Sequence, residues 1–310
     1  MATLREYAAG VEDILRPYGD LDLLLYYGLV AEKLQPYLHG RELATRTWLP
    51  KGRVPVVVKR GSWNPPLLIG PMARAVTPAM MGARRKFEHL DAARHVLSPD
   101  QALTWFYFVP RKYMGFHYAT NREGGGREIN RIVYDIDRGK SMSAEDAIEV
   151  AAHLVKAVQE DEPAADMLYG RPLVSWTGSS FHVTLSMKEM QPASFYREQI
   201  EYSGKGHTLT DRLIDRVTDT SKVPIAGGHV RRPGLITVDS SQTPSGHLCR
   251  VPLGSLHMES ASVIEGVSVP LAPDMLSRDE VADLRTYTPQ RVIDELDELA
   301  RRLPGEKVTL

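Results

Sequence analysis

Two aspartates one residue apart, Asp135 and Asp137, lie in the stretch Arg131-Ile-Val-Tyr-Asp-Ile-Asp-Arg138. Ile132, Val133, Tyr134 and Ile136 give it the β-branched and aromatic bias of a strand. Strand side chains alternate faces, so Ile132, Tyr134 and Ile136 pack inward while both carboxylates project from the opposite face. Two such carboxylates repel each other unless positive charge stands between them. Hard oxygen donors of this kind suit Mg²⁺ or Mn²⁺. The plain alternative is a strand end running into a turn at Arg138-Gly139, where aspartates are common.

Two further stretches supply partners for the pair. In the hairpin Leu173–Met187, Phe181, Val183, Leu185 and Met187 alternate with His182, Thr184 and Ser186. The first set reads as core and the second as an open face. His182 follows a turn ending in Ser180, and such a turn offers backbone N–H groups, hydroxyls and an imidazole to an anion. In Leu235-Ile-Thr-Val-Asp239, Ile236 and Val238 read as buried, and Asp239 ends the strand on the other face. Three carboxylates together would hold two divalent ions, which activate an attacking oxygen and neutralise a transferring phosphoryl group. Beyond them, His247, Arg250 and His257 converge if the chain doubles back at Pro252–Gly254. Arginine grips phosphate oxygens in bidentate fashion, as a triphosphate requires.

These residues need a scaffold. Helical spacing predicts a helix over Leu4–Leu15, a second from Leu21 to about Leu38, and one over Ala147–Val158 with a capping box at Ser143 and Asp146. Strands are predicted at Glu42–Trp48, Val54–Lys59, Gln101–Val109, Pro172–Trp176, Phe181–Met187, Leu235–Asp239 and His247–Val251. A helix broken near Gly204-Lys-Gly206 is expected within Gln199–Val217, and closing helices near Arg278–Leu284 and Pro289–Leu303. The expectation is a single α/β (α+β) domain over residues 1–310 without a sharp boundary. Its N-terminal lobe spans about 1–130, its catalytic lobe about 131–260, and its C-terminal helices about 275–304.

Composition bounds the function. With 43% hydrophobic and 25% charged residues the chain has the make-up of an ordinary soluble protein. No apolar run reaches the roughly 20 residues a bilayer demands. The N-terminus carries no basic-then-apolar signal, so a cytoplasmic location is expected. One cysteine, Cys249, excludes an internal disulfide and a cysteine-rich zinc site. The net charge of −1 hides an asymmetry: residues 51–127 hold 13 Lys and Arg against 4 Asp and Glu. Such a stretch is a candidate polyanion face, with solvated loop charge as the alternative.

The ordered set Asp135/Asp137, then Ser180-Phe181-His182, then Val238-Asp239 resembles the three motifs of the archaeo-eukaryotic primase superfamily. The tail His247-Leu-Cys-Arg-Val-Pro-Leu-Gly-Ser-Leu-His257 is similar to the segment after the third aspartate in primase small subunits. Leu23–Leu43, with its Tyr26-Tyr27 helix and Pro36-x-Leu-x-Gly-Arg-x-Leu43 run, looks like the polymerase domain of the bacterial end-joining ligase. Two departures stand out. That branch usually has Pro where Arg138 stands, and the zinc knuckle common in primase small subunits has no cysteines here.

The resemblance implies a two-lobed primase-polymerase fold, an RRM-like catalytic sheet packed against an N-terminal α/β lobe. It implies template-directed nucleotidyl transfer, of gap-filling repair type in preference to primer synthesis by a replicative primase subunit. Asp135, Asp137 and Asp239 would hold two Mg²⁺ or Mn²⁺ ions, with no structural zinc. Ser180, His182, His247, Arg250 and His257 would bind the nucleoside triphosphate. Lys51, Arg53, Lys59 and Arg60 are candidates for contacts to DNA template, primer or 5′-phosphate. No ligase or nuclease module is evident, so the implied partners are a separate ligase and end-binding protein, or a primase large subunit. From the residues alone, a two-metal nuclease or phosphodiesterase and a non-catalytic nucleic-acid-binding module compete with this reading.

Overall fold

The computed structural model describes residues 2–10, 22–48, 55–59, 65–108, 115–260 and 263–305. The strands among them are, in chain order, β1 (Leu43–Trp48), β2 (Pro55–Lys59), β3 (Gly115–Ala119), β4 (Ile129–Arg138), β5 (Leu168–Trp176) and β6 (Phe181–Gln191). There follow β7 (Ile225–Gly227), β8 (Ile236–Asp239), β9 (Leu248–Arg250), β10 (Leu256–Ser260), β11 (Val263–Val267) and β12 (Val269–Pro270). They form a six-stranded sheet ordered β12-β5-β6-β4-β8-β7, a four-stranded sheet ordered β2-β1-β3-β9, and the hairpin β10-β11.

The larger sheet explains why the Asp-x-Asp strand is a platform. From β4 to β8, apart from the short helices Glu162–Met167 and Tyr196–Ile200 and the edge strand β7, the chain runs strand, helix, strand, strand, helix, strand, with β4 and β8 adjacent at the centre and β5-β6 outside β4. That is the β-α-β-β-α-β arrangement of an RRM-like sheet. The helix Ala144–Glu160 packs on β4 and β6, burying Ala147, Ile148, Ala151, Leu154 and Val158. Ser143 caps it reciprocally with Asp146, as the sequence predicts. Ile132, Tyr134 and Ile136 are fully buried, and the Tyr134 hydroxyl reaches Thr210 Oγ1 at 3.2 Å on the second helix, Leu209–Thr220. With these residues on the helix side, the period of two leaves Asp135 and Asp137 on the face turned away from the helices.

The N-terminal lobe is built on the helix Leu23–Leu34, capped by Asp22 and buried along almost its whole length. A Cβ on its Gly28 would lie 2.5 Å from Val76 Cγ1, so glycine permits the close approach of the segment after the helix Ile69–Ala75. Arg131, fully buried at the start of β4, ties the lobes together. Its Nη2 donates to the Tyr37 carbonyl at 2.6 Å, and its guanidinium lies 4.1 Å from the Tyr37 ring centre.

Two expectations need correction. Gln101–Val109 is not a strand: the helix Pro99–Phe108 occupies it. The aromatic run Trp105-Phe-Tyr-Phe108 has β propensity, but Ser98 and Gln101 exchange backbone-to-side-chain hydrogen bonds of 3.0 and 3.3 Å, a helix-starting box. Thr104, Trp105, Tyr107 and Phe108 then fall on one buried helical face. The closing helix Pro289–Leu303 is divided at Glu295 into Pro289–Asp294 and Leu296–Arg301.

Candidate active site

The strand register aligns the acidic and basic side chains. Asp135 on β4 lies directly opposite His182 on β6 and opposite Asp239 on β8, and Asp137 lies opposite Thr237. Directly opposed residues share a face, so His182, Asp135 and Asp239 form one row across three strands. His182 Nε2 stands 3.4 Å from Asp135 Oδ1, and its Nδ1 stands 3.4 Å from Cys249 Sγ. Gln242 Nε2 donates to Asp135 Oδ2 at 2.8 Å. Asp239 accepts from Ser241 N at 2.8 Å and Ser241 Oγ at 2.7 Å. Asp137 pairs with Arg231, from the loop between β7 and β8.

The electrostatics split the carboxylates. Burial pushes the Asp137 carboxyl up, the charges of Asp135 and Asp239 add to this, and Arg231 opposes it, leaving it at about 6. Burial and Asp135 likewise raise Asp239, against its Ser241 hydrogen bonds. Asp135 moves the other way: burial raises it, but the adjacent His182 imidazolium outweighs burial and lowers it. His182 is correspondingly held protonated, up to about 10, because Asp135 overcomes the burial that would lower it. Asp137 and Asp239, each raised by burial and by the charge of Asp135, are short of positive charge.

Above this row is a cavity of about 420 Å³, to which both lobes contribute. Five arginine and lysine side chains line it (Arg46, Arg138, Lys140, Arg231 and Arg250) against the two carboxylates Asp135 and Asp137. His117, Thr177, Ser179, Ser180, His182, Gln242 and His257 complete its polar lining. Arg250 Nη1 donates to Leu256 O at 2.7 Å, and Nη2 donates to His257 Nδ1 at 3.2 Å. Burial and the charge of Arg46 bring Arg250 down to about 10. His257 Nε2 lies 3.0 Å from Glu265. Burial, Arg250 and Arg138 lower His257 to about 3, so the ring is neutral: it accepts from Arg250 and donates to Glu265. The Ser180 hydroxyl donates to the carbonyl of Ile136, and its N–H to Thr177 Oγ1 at 3.2 Å, fixing the turn beside β4. At Gly178 in that turn φ is +98°, and a Cβ would lie 2.4 Å from His257 Cβ, so only glycine lets the two segments meet.

The sequence-derived candidates divide into three groups. Asp135, Asp137, Asp239, Ser180, His182, Arg250 and His257 gather at this face, although Asp239 lies beside the cavity lining instead of within it. His247 does not join them: its side chain is exposed and absent from the lining, and its carbonyl accepts from Thr120 N at 3.1 Å. Lys51, Arg53 and Arg60 lie outside the described residues, and of Lys59 only the backbone position in β2 is described. Sequence reasoning missed Arg46, His117, Arg138, Lys140, Arg231 and Gln242. Only Arg138 and Lys140, directly after the Asp-x-Asp pair, carried a local signal.

The donor set of three carboxylates on adjacent strands fits a hard divalent cation. As the side chains stand, no group of three or more His, Cys, Asp or Glu among the described residues converges closely enough to hold a metal. The cause is visible: Asp137 is turned to Arg231 and Asp239 to Ser241. An arginine therefore supplies the positive charge the carboxylates attract.

Comparison with solved structures finds the polymerase domain of Mycobacterium tuberculosis Ligase D in complex with DNA. The TM-score is 0.55 at 16% identity, over 91% of this chain and 92% of that one. At this identity the likeness establishes the fold, a mixed α/β architecture of the polymerase-domain kind. No family model and no curated protein matches the chain. Among the described residues no helix is long and apolar enough to cross a membrane.

Proposed function

We propose that the chain is a primase-type nucleotidyltransferase that extends a nucleic-acid strand on a DNA template. The observation that carries this reading is a cavity in which Asp135 and Asp137, with Asp239 beside them, meet an excess of arginine and lysine. Phosphoryl transfer from a nucleoside triphosphate needs both: a cation platform beside the reacting phosphorus and donors along the phosphate chain. A 3′-hydroxyl oxygen forms a bond to the α-phosphorus, and the bond from that phosphorus to the bridging oxygen breaks, releasing pyrophosphate.

Asp135, Asp137 and Asp239 would hold two Mg²⁺ or Mn²⁺ ions. Bound there, the ions would supply charge neutralisation and lower the pKa of the attacking hydroxyl. The Arg250 fork would bind phosphate oxygens, and protonated His182, whose nitrogens face Asp135 and Cys249, would add its positive charge beside them and hold Asp135 ionised. His257, with both nitrogens engaged, would orient Arg250 and leave the phosphate contact to it. Ser180 would act through the turn it ties to β4, whose neighbours Thr177 and Ser179 line the cavity. His247 has no role in this scheme.

Within the class, repair-type gap filling is the reading we favour. The fold likeness to the polymerase domain of a ligase, seen there with DNA, supports it. The basic stretch of residues 51–127, with Lys51, Arg53, Lys59 and Arg60, would then meet template or 5′-phosphate, and a separate ligase would finish the join. A two-metal nuclease has less support, since diester hydrolysis does not call for a row of cations suited to a triphosphate. Asp137→Ala tests the assignment: incorporation on a primed template should vanish while DNA affinity stays within about twofold. Retained synthesis would remove Asp137 from the reaction.

A further inference from the structure

The helix side of the six-stranded sheet carries two cavities that the proposed reaction leaves unused. One, of about 400 Å³, lies between the helix Ala144–Glu160, β5 and the segment after β12. Val155, Val174, Leu271, Pro273 and Leu276 give it apolar walls, with Lys156 at its rim. The other, of about 250 Å³, lies at the start of β5 against Val158, Leu168, Tyr169 and Leu185. Gln159, Arg171 and Pro172 line both, so they stand where the two meet. Neither shares a residue with the cavity above Asp135 and Asp137, which opens on the opposite face of the sheet.

The sequence builds β5 irregularly at this junction. From Tyr169, opposite Ser186, to Leu173, opposite Thr184, β5 takes four residue steps against two on β6. The bulge holds Gly170 at φ +67° and leaves the Tyr169 side chain 39% exposed. Arg171 is exposed; its Nη2 donates to the Arg302 carbonyl at 2.8 Å, and it pairs with no carboxylate among the described residues. Lys156 Nζ lies 3.8 Å from Glu160, an exposed pair of the kind that contributes little. Tyrosine and arginine beside apolar cavities are the residue types that anchor partner proteins.

Shape and charge define what fits. Two apolar cavities meeting at an arginine call for two apolar groups with an anion between them. An extended peptide supplies that spacing, because side chains two residues apart share a face. It would be held by side chains and not as an added strand. β12 covers β5 only from Val174 onward, but Pro172 has no N–H to offer and the bulge breaks the ladder. Nucleic acid is a poor match, since it needs a track of cations and not two on an apolar floor.

We infer that this groove docks a short extended segment of a partner protein in which Asp or Glu stands two residues from an apolar side chain on either side. The apolar side chains enter the two cavities, and the carboxylate pairs with Arg171. The groove's chemistry does not depend on the reaction across the sheet, and its position leaves the other face open to DNA while a partner is held.

Fluorescence anisotropy of the full chain with two labelled peptides, Ser-Leu-Ser-Glu-Ser-Leu-Ser and the same peptide with Lys for Glu, tests the groove. The wild type should bind the Glu peptide saturably and about tenfold more tightly than the Lys peptide. Arg171→Glu should reverse that order at an unchanged melting temperature, because the side chain is exposed. A Glu peptide with Ser for both leucines should not bind the wild type. An unreversed order in Arg171→Glu, or undiminished binding without the leucines, overturns the proposal. So does a wild type that binds no peptide, the result expected if the chain's own residues 306–310 or a second copy fill the groove. If Arg171→Glu fails to fold, Arg171→Gln serves: it should bring the two peptides within about twofold of each other, and a retained tenfold preference overturns the proposal.

Discussion

Arg231 stands where the carboxylates attract a cation, so Arg231→Ala should tighten divalent-ion binding. Its guanidinium pairs with Asp137, and the side chains are 64% and 11% exposed. Two unit charges about 4 Å apart attract by about 4 kcal/mol at a dielectric of about 20. Exposure of the arginine and the entropy of holding it cut surface pairs to about 0.2–1 kcal/mol. The buried Asp137 end places this pair at the upper limit, about 1 kcal/mol. Since about 1.4 kcal/mol is tenfold, losing the competing arginine should lower the apparent Kd for Mn²⁺ about fivefold. A titration of free Mn²⁺ by electron paramagnetic resonance at low ionic strength reads this directly. The difference should shrink as salt screens the pair in the wild type. Unchanged or weakened Mn²⁺ binding by Arg231→Ala would refute the view that arginine and metal compete for one place.

Two further outcomes follow from the scaffold. The Asp211 carboxylate accepts from the backbone N–H of Ser203 and Gly204 (both 2.9 Å), His207 (3.1 Å) and Thr208 (3.3 Å) and from Ser203 Oγ (2.5 Å), so Asp211→Asn should cost about 2–3 kcal/mol at pH 7 in urea denaturation. These bonds, outweighing burial, hold the Asp211 carboxyl far below the usual carboxylate range. Its stabilisation is therefore present above the unfolded value of about 3.9 and fades as pH falls below it, so the gap between wild type and variant should narrow there; a constant gap would contradict this. Gly139→Ala would set a Cβ 1.8 Å from Arg232 O and 2.6 Å from Leu235 O, both backbone atoms. It should lower stability by about 1–3 kcal/mol and, by displacing the loop that carries Arg231, tighten Mn²⁺ binding as Arg231→Ala does.

How much of this was legible in the sequence differs from residue to residue. The alternation around Asp135 and Asp137 placed both on the face away from the helices, because a period of two is a local property. His182 and Asp239 were legible as strand residues of the right face, but their alignment with Asp135 is a matter of register, set by the whole sheet. Arg46 and His117 were silent: they reach the cavity only because the N-terminal lobe's sheet closes over β4. The chemical types of Arg250 and His257 were readable, whereas the chain Arg250 to His257 to Glu265 depends on the hairpin β10-β11. Trp105-Phe-Tyr-Phe108 has the aromatic bias of a strand, while the Ser98–Gln101 box that starts the helix lies upstream of it. His247 sits close in sequence to Arg250 and yet is exposed, since it lies before β9 begins at Leu248.

The central claim is that the cavity joins nucleotides to a strand end. The direct measurement is incubation of the protein and Mn²⁺ with an end-labelled primer annealed across a short gap bearing a 5′-phosphate, with and without nucleoside triphosphates. The account predicts a ladder of lengthened products that requires nucleotides and is lost in Asp137→Ala. Shortened products that form without nucleotides would show a nuclease, and a primer unchanged under every condition would contradict polymerase activity.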